Sequence, residues 1–379
     1  MASQPPRHRQ SRSSSSSQQG SRRKSSPPPK ASAPDLRLHH AQARANSTRA
    51  DPERVIPVVV VGLGFIGREI ARCALAHPRL ELVGVVDTDP KLQGKTLDEL
   101  GLTGSGLQVL ASAELLKQGV RGGAVLLATC SRVDDAVPQL ESIFRLGASV
   151  VSTCEELAYP WLYHPEAAER IDRAAQKAGV CALGTGVNPG FVLDRLVAVA
   201  GSLSGNVQHV HAERRVDAST RREALQRKVG AGLSEEQFAK LAENDAIGHV
   251  GLAESCALAA LGLGLDLDEV EEELLPVLAD EDALGGAVPV KAGQVAGIYQ
   301  QARGFTEGRE IINLELTIAV GATPATDRIR IDAEPNIEIE AKGGWPGDTA
   351  TAWAVVNAVP SVVQSEPGLL TVLDLPAGR

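Results

Sequence analysis

Aromatic residues are scarce, 3% of the chain, and methionine occurs once. Packing therefore falls to Val, Leu, Ile and Ala, within an apolar fraction of 43% that is ample for real cores. Cysteine is sparse too. Cys73, Cys130, Cys154, Cys181 and Cys256 are scattered, odd in number and without C-x-x-C spacing. That argues against a disulfide framework or a zinc site, so no metal is expected, and it fits a reducing, cytoplasmic setting. No apolar run reaches the roughly 18 residues of a membrane span. The N-terminus has no apolar h-region, so it does not read as a secretory signal. Surplus positive charge is missing as well: a net charge of −9 argues against a nucleic-acid partner.

The net charge hides an asymmetry. Residues 1–50 carry ten Lys or Arg and one acid, Asp35, which leaves about −18 on the rest of the chain. Residues 1–52, with "SRSSSSSQQG" and "SSPPPK", hold too little apolar surface to offset chain entropy and read as a disordered tail. An Arg/Ser-rich, acid-poor start also resembles an organelle transit peptide; the plainer reading is an untargeted tail.

A length of 379 residues suggests two domains beyond that tail. From Val55 the chain alternates. Apolar runs at 55–61, in "LELVGVVDTDP", at 123–131 and at 147–156 read as strands, with helical stretches such as "REIARCALAHP" and 166–179 between them. Pro78 should stop the first helix. Such alternation means βαβ units, hence a Rossmann-type, doubly wound parallel sheet, here assigned to residues 53–190. After about residue 190 the pattern changes. "HVHAERRVDAS", 313–320, 328–333 and 336–341 read as strands, the last three with one wet face. "LSEEQFAKLAEN" reads as a helix with Ser234 and Gln237 spaced as a capping box. "HVGLAESCALAALGLGL" reads as a buried helix. Residues 191–342 thus form a second α+β domain on an open, mainly antiparallel sheet, and 343–379 a C-terminal helix and extended segment.

The stretch "VVVVGLGFIG" places Gly62-x-Gly64-x-x-Gly67 between a buried strand and a helix. Gly62 permits a tight turn, Gly64 a close backbone approach to a pyrophosphate, and Gly67 close helix–strand packing. Phe65 and Ile66 open the helix whose free N–H groups would hold the phosphates. Arg68 either helps neutralise them or is a solvated surface arginine. Asp87 ends the second strand twenty residues past Gly67, where an acid binds the adenosine ribose. Its charge favours NAD over NADP, although Thr88 and Lys91 offer partners to a 2′-phosphate.

Ligands of doubly wound sheets lie outside the C-terminal strand ends. Three such ends are polar. "ATCS", with Thr129, Cys130 and Ser131, suits a loop against the cofactor. "STCEE" puts Glu155 and Glu156 at a strand end. "GTGVNPG" aims the amide of Asn188 from a rigid turn with Pro189 and Gly190. A carboxylate beside a nicotinamide suits reduction of an imine: it can take a proton from ammonium, shuttle protons through the carbinolamine and stabilise the iminium. One of the two acids can instead serve a helix N-terminus; Glu155 is the preferred catalytic residue and Glu156 the second candidate. Tyr159, Trp161 and Tyr163 either line an apolar substrate pocket or pack in the core. His209 and His211 share a strand face with no third ligand and read as satisfied surface histidines. His249 precedes the buried helix, where one orientation faces the cleft. Lys228 reads as solvated.

These stretches carry a resemblance. "GLGFIGREIA", "STCEELAYP", "GTGVNPGFVLD", "RKVGAGLS" and the C-terminal "GDTATAWAVVNAVPSVVQSEPGLLTVLDLP" resemble the 2,4-diaminopentanoate dehydrogenases and related native amine dehydrogenases, a group often placed with dihydrodipicolinate reductase-like proteins. The likeness spans about 55–379 and leaves out the tail. It implies NAD(P)H-dependent reductive amination of a small ketone or aldehyde with ammonia, and the reverse deamination. It implies a catalytic acid within "CEE", on Glu155 or Glu156, a homodimer, and a C-terminal segment that packs back on the cofactor domain. Dihydrodipicolinate reductases proper carry a paired-histidine segment followed by lysine; here the sole His-His pair is His39–His40 in the tail. The "CEELAYPWLY" segment is rather apolar beside its acids, which suits a simple carbonyl or amine better than 2,4-diaminopentanoate itself. The alternatives are 2,4-diaminopentanoate dehydrogenase itself, a dihydrodipicolinate reductase-like or semialdehyde-type carbonyl dehydrogenase, and a non-catalytic NAD(P)-binding regulator.

Overall fold

The computed structural model describes residues 54–102, 105–112, 119–283 and 286–378, with the backbone of a short strand, β1 (Ser21–Arg23). The tail read as disordered otherwise lies outside the described residues.

Strands β2 (Ile56–Val61), β3 (Leu80–Val86), β4 (Val109–Leu110), β5 (Ala124–Leu127), β6 (Ser149–Ser152) and β7 (Cys181–Gly184) build a wholly parallel sheet in the order β7-β6-β5-β2-β3-β4. The central strands β5, β6 and β7 are buried at every position, which explains why they read as unbroken apolar runs. Helix α1 (Phe65–Ala76) turns Gly67, Ile70, Ala71, Cys73 and Ala74 inward and ends immediately before His77-Pro78. Helices α2 (Val133–Phe144) and α3 (Pro165–Ala178) cover the other face, burying Leu140, Ile143, Phe144 and Ile171.

The second sheet is built from β8 (Gly205–Asp217), β9 (Glu269–Leu278), β10 (Val295–Thr306), β11 (Arg309–Ala319), β12 (Thr326–Glu334) and β13 (Ile337–Lys342). Its order is β1-β9-β10-β11-β8-β12-β13, antiparallel except where β8 and β11 run side by side. Helices α4 (Arg195–Gly201) and α7 (Leu252–Leu263) share the core on one face with Val210, Leu314 and Ile329. Nine residues of α7, 252–260, are buried, as its apolar sequence demands. Between β8 and α7 lie α5 (Glu223–Lys228) and α6 (Glu235–Glu243), the latter with both halves of the Ser234/Gln237 capping box formed. Strands β9 and β10 were not legible: β9 begins with a run of glutamates and β10 is interrupted by glycine, so neither has a clear two-residue period.

The chain then returns. Helix α8 (Gly347–Val362) packs Val355, Val356 and Val359 into the core beneath α1, and β14 (Gly368–Leu370) adds to the parallel sheet beside β7. The outer end of the first sheet and one wall of the interdomain cleft are therefore made by the last thirty or so residues, a closure that costs chain entropy only slowly with loop length.

Candidate active site

The glycine loop has the shape a dinucleotide needs. Gly62 adopts φ +90°, and a Cβ there would lie 2.6 Å from the Ala128 carbonyl oxygen. At Gly67 a Cβ would sit 1.7 Å from the Gly62 carbonyl oxygen, so no other residue lets α1 approach β2 this closely. Gly64, the N-cap of α1, has nothing within 4 Å of a Cβ, so the space before the helix start is open. No side chain caps α1 and its first turn carries no acid, which leaves orphan N–H groups and a positive dipole end facing that space. Asp87 accepts hydrogen bonds from the N–H groups of Leu63 (2.6 Å) and Asp89 (2.8 Å), and so braces the loop from the strand next door. Thr88 is exposed beside it. Arg68 donates from Nε to the Leu63 carbonyl at 3.0 Å, one more brace on the loop. Phe65 is half exposed and lies under the guanidinium of Arg222, 4.4 Å from its ring centroid.

Past the loop, a cleft of about 360 Å³ runs between the two sheets. It brings together Ile66, Thr129, Cys130, Ser131, Glu155, Asn188 and Pro189, as the strand-end reading requires, with Lys228 and His249 from the second domain and Thr351 from α8. The three polar strand ends are neighbours because β5, β6 and β7 are adjacent and in register. Thr129 donates to Gln139 on α2 at 2.8 Å, and Thr351 Oγ1 accepts from the Val187 N–H at 3.2 Å.

Glu155 keeps some accessible surface, since water can enter the open cleft, yet it is packed deeply enough that burial raises its carboxyl above the usual range. The charge of Lys228 and a hydrogen bond from Ser131 pull the other way. The wall behind it is Gly251, at φ +99°, whose Cβ would come 3.1 Å from the Glu155 Cβ and 2.7 Å from Pro189. A side chain at this helix start would push the acid out of place.

Glu156 does something else. Its carboxylate accepts from Arg132 Nη1 at 2.6 Å and from the N–H of Val133, the first residue of α2, at 2.8 Å, with His164 Nε2 3.5 Å away. Arg132 supplies no side-chain cap to α2, so Glu156 caps that helix from across the fold. It borders a separate cavity of about 240 Å³.

Asn188 is pinned at both ends. Its Nδ2 lies 3.0 Å from His249 Nε2, and its Oδ1 lies 3.5 Å from Ser255 Oγ. Burial, then the charges of Lys228 and Arg214, hold His249 far below its ordinary value, at about 3. The ring is therefore neutral, and Nε2 accepts from the Asn188 amide. Gln300 on β10 clamps the His249 backbone, accepting from its N–H at 2.9 Å and donating to its carbonyl at 2.8 Å. Asp194, fully buried, accepts from Gly190 N–H (2.7 Å) and Ser255 Oγ (2.9 Å) and sets the turn that carries Asn188.

The aromatic segment divides. Tyr159 is buried in the first domain's core, and Trp161 packs beside it with ring centroids 5.5 Å apart. Of the three rings, Tyr163 alone borders a cavity: the smaller one with Glu156, and a surface cavity of about 1150 Å³ beside His164 and Arg170, neither of them the interdomain cleft. The segment follows a tight turn that directs the first two rings inward under the sheet. His209 and His211 pair with Glu310 (3.3 Å) and Glu315 (3.4 Å) across the second sheet, and no group among the described residues is arranged to hold a metal. Lys228, read as solvated, is exposed but borders both cavities. Asp194, Gln300, Arg222 and the buried Glu254 carried no motif; each acquires its place only by long-range packing.

Known proteins resemble this chain in sequence and fold. The family model of the 2,4-diaminopentanoate dehydrogenase C-terminal domain matches residues 191–379. A 2,4-diaminopentanoate dehydrogenase of Acetoanaerobium sticklandii is 30% identical over 335 residues, 86% of this chain and 94% of that protein. An amine dehydrogenase of Streptomyces virginiae is 27% identical over 356 residues, 85% of this chain and 96% of that one. The solved amine dehydrogenase of Mycobacterium smegmatis superposes with a TM-score of 0.76 at 24% identity, covering 87% of this chain and 98% of that chain, which shows the same fold. With this extent of likeness running through both domains and the cleft between them, the chain belongs to the 2,4-diaminopentanoate dehydrogenase family.

Proposed function

We propose that the chain is an NAD(P)H-dependent amine dehydrogenase that aminates a small ketone or aldehyde with ammonia and runs the reverse deamination, with Glu155 as the catalytic acid–base. The observation that carries this reading is the acid Glu155 in the interdomain cleft beside Asn188, Ser131 and Lys228, its carboxyl raised by burial, while the cleft's other acid, Asp348, is paired with Arg221. The names of the relatives support the same chemistry. Residues 53–190 would hold the cofactor, 191–342 the substrate and dimer contacts, and 343–379 would close the cleft.

The loop of Gly62, Gly64 and Gly67 fits a pyrophosphate, and Asp87, braced but with acceptor capacity left, fits an adenosine ribose. Bound reduced nicotinamide supplies a hydride. The chain's own residues manage the protons. Glu155 takes one from ammonium and releases ammonia, which adds to the carbonyl carbon. The protonated Glu155 then gives that proton to the carbinolamine hydroxyl, which leaves as water. The resulting iminium faces a carboxylate that is once more negative, in a cleft where the low dielectric strengthens the attraction. Asn188, locked by neutral His249, would orient the carbonyl oxygen or the cofactor's amide.

A semialdehyde-type reduction would need a Lys or Tyr proton donor at the carbonyl, so ammonium dependence is what separates the two readings. Lys228 is the one such group in the cleft, and it stands by Glu155. The partner is read as a second copy of this chain and the setting as cytoplasmic, on the family likeness and the unpaired cysteines; no helix among the described residues is long and apolar enough to cross a membrane.

The test is a spectrophotometric screen of ketones and aldehydes with each reduced cofactor, with and without ammonium. Oxidation that depends on ammonium supports the reading. Equal rates without ammonium point to the carbonyl dehydrogenase, and cofactor binding without any turnover to the regulator.

A further inference from the structure

We infer that Arg222, a residue of the second domain, grips the pyrophosphate of the dinucleotide and ties the two domains together over the cofactor. The inference rests on the glycine loop being the dinucleotide site.

Three observations meet at this side chain. The first is position. Arg222 precedes α5, yet its guanidinium reaches across the cleft and stacks on Phe65, 4.4 Å from the ring centroid. Phe65 opens α1, so its backbone N–H is among the orphan donors aimed at the phosphate space. The second is pairing. The neighbouring cleft arginines are already neutralised: Arg214 by Asp327 at 2.7 Å and Arg221 by Asp348 at 2.8 Å. Arg222 has no ion pair among the described residues, and its Nη1 is buried with no hydrogen-bond partner. The third is shape. Arg222 lines the cleft of about 360 Å³ together with Ile66 of the helix start, and a Cβ at Gly64 would meet nothing within 4 Å.

Leaving a buried guanidinium N–H unbonded is costly, so a partner for Arg222 is expected in the working enzyme. A guanidinium stacked on a ring keeps its in-plane N–H fork free, and that fork matches phosphate oxygens. The helix start offers neutral donors and a partial charge, and Arg68 turns its Nε to the Leu63 carbonyl; Arg222 adds a further full positive charge for a doubly negative pyrophosphate. Because it comes from the other domain, the contact exists only when both domains face the cofactor.

The experiment measures dissociation constants by calorimetry for NADH, ADP and 2′-phospho-AMP, on the full chain, for wild type, Arg222→Lys and Arg222→Met. Arg222→Met keeps an apolar chain over Phe65 and removes the charge. The expected result is a loss of about tenfold or more for ADP and NADH with Met, and a smaller loss with Lys, which keeps charge but not the fork. Unchanged ADP affinity in both variants overturns the inference. So does a loss confined to 2′-phospho-AMP, which would assign Arg222 to the 2′-phosphate, or one confined to the KM of the carbonyl substrate, which would assign it to a substrate anion. A wild-type chain that binds neither NADH nor ADP would instead remove the dinucleotide reading itself.

Discussion

Glu155 and Glu156 are adjacent in the chain and face different cavities. One carboxylate lines the interdomain cleft; the other is bound by Arg132 and the first N–H of α2. The difference assigns them different consequences on substitution. Glu155→Gln should lower ammonium-dependent NAD(P)H oxidation by about 100-fold or more and leave NADH affinity unchanged. Glu156→Gln should keep turnover but lower stability by about 1–3 kcal/mol, because it loosens a helix cap and an ion pair. Steady-state rates and thermal melts of both variants decide it. Loss of activity in Glu156→Gln alone would reverse the assignment.

Lys228 acts on Glu155 through charge. Its ammonium favours the carboxylate and opposes the upward push of burial. Lys228→Met should therefore raise the Glu155 pKa, and the acidic limb of the kcat/KM profile should move to higher pH. A pH profile that stays in place would remove Lys228 from the site's electrostatics.

Glu254 lies at the start of α7, 4% exposed, and borders the smaller cavity. Burial, and then the charge of Glu272, push its carboxyl up from 4.5 to about 8. Between those values the folded state holds a proton that the unfolded chain has released, so stability falls as pH rises through this window. Glu254→Gln should melt at least about 3 °C above wild type at the upper end of the window, with the gap closing towards its lower end. A gap of the same size at both ends would refute the linkage.

Asp87 is both a ribose acceptor and a brace for the glycine loop through the Leu63 N–H. Asp87→Ala should weaken both cofactors, because the loop loosens, and NAD more than NADP, because the repulsion of a 2′-phosphate disappears. The ratio of the two dissociation constants should shift by about tenfold towards NADP. Equal losses would leave Asp87 as a brace alone.

Much of this architecture could be read before folding. Apolar runs over β2, β5 and β6 announce buried parallel strands, Pro78 marks the end of α1, and the Ser234/Gln237 spacing announces α6. The acid-rich β9 and glycine-broken β10 escaped, since neither repeats every second residue. Tyr159 and Trp161 could not be sorted from Tyr163, because a three-residue turn decides which ring goes under the sheet.

What the amino-acid order determines by itself is local: a loop only glycines can make, a strand-helix rhythm, and acids at a strand end. These follow from backbone sterics and periodicity, which act over a few residues. Which acid meets the cleft depends on partners far along the chain. The N-terminus of α2 claims Glu156, while Gly251 and Lys228 wall in Glu155. Burial and charge act through space, so only the packed tertiary structure could assign them.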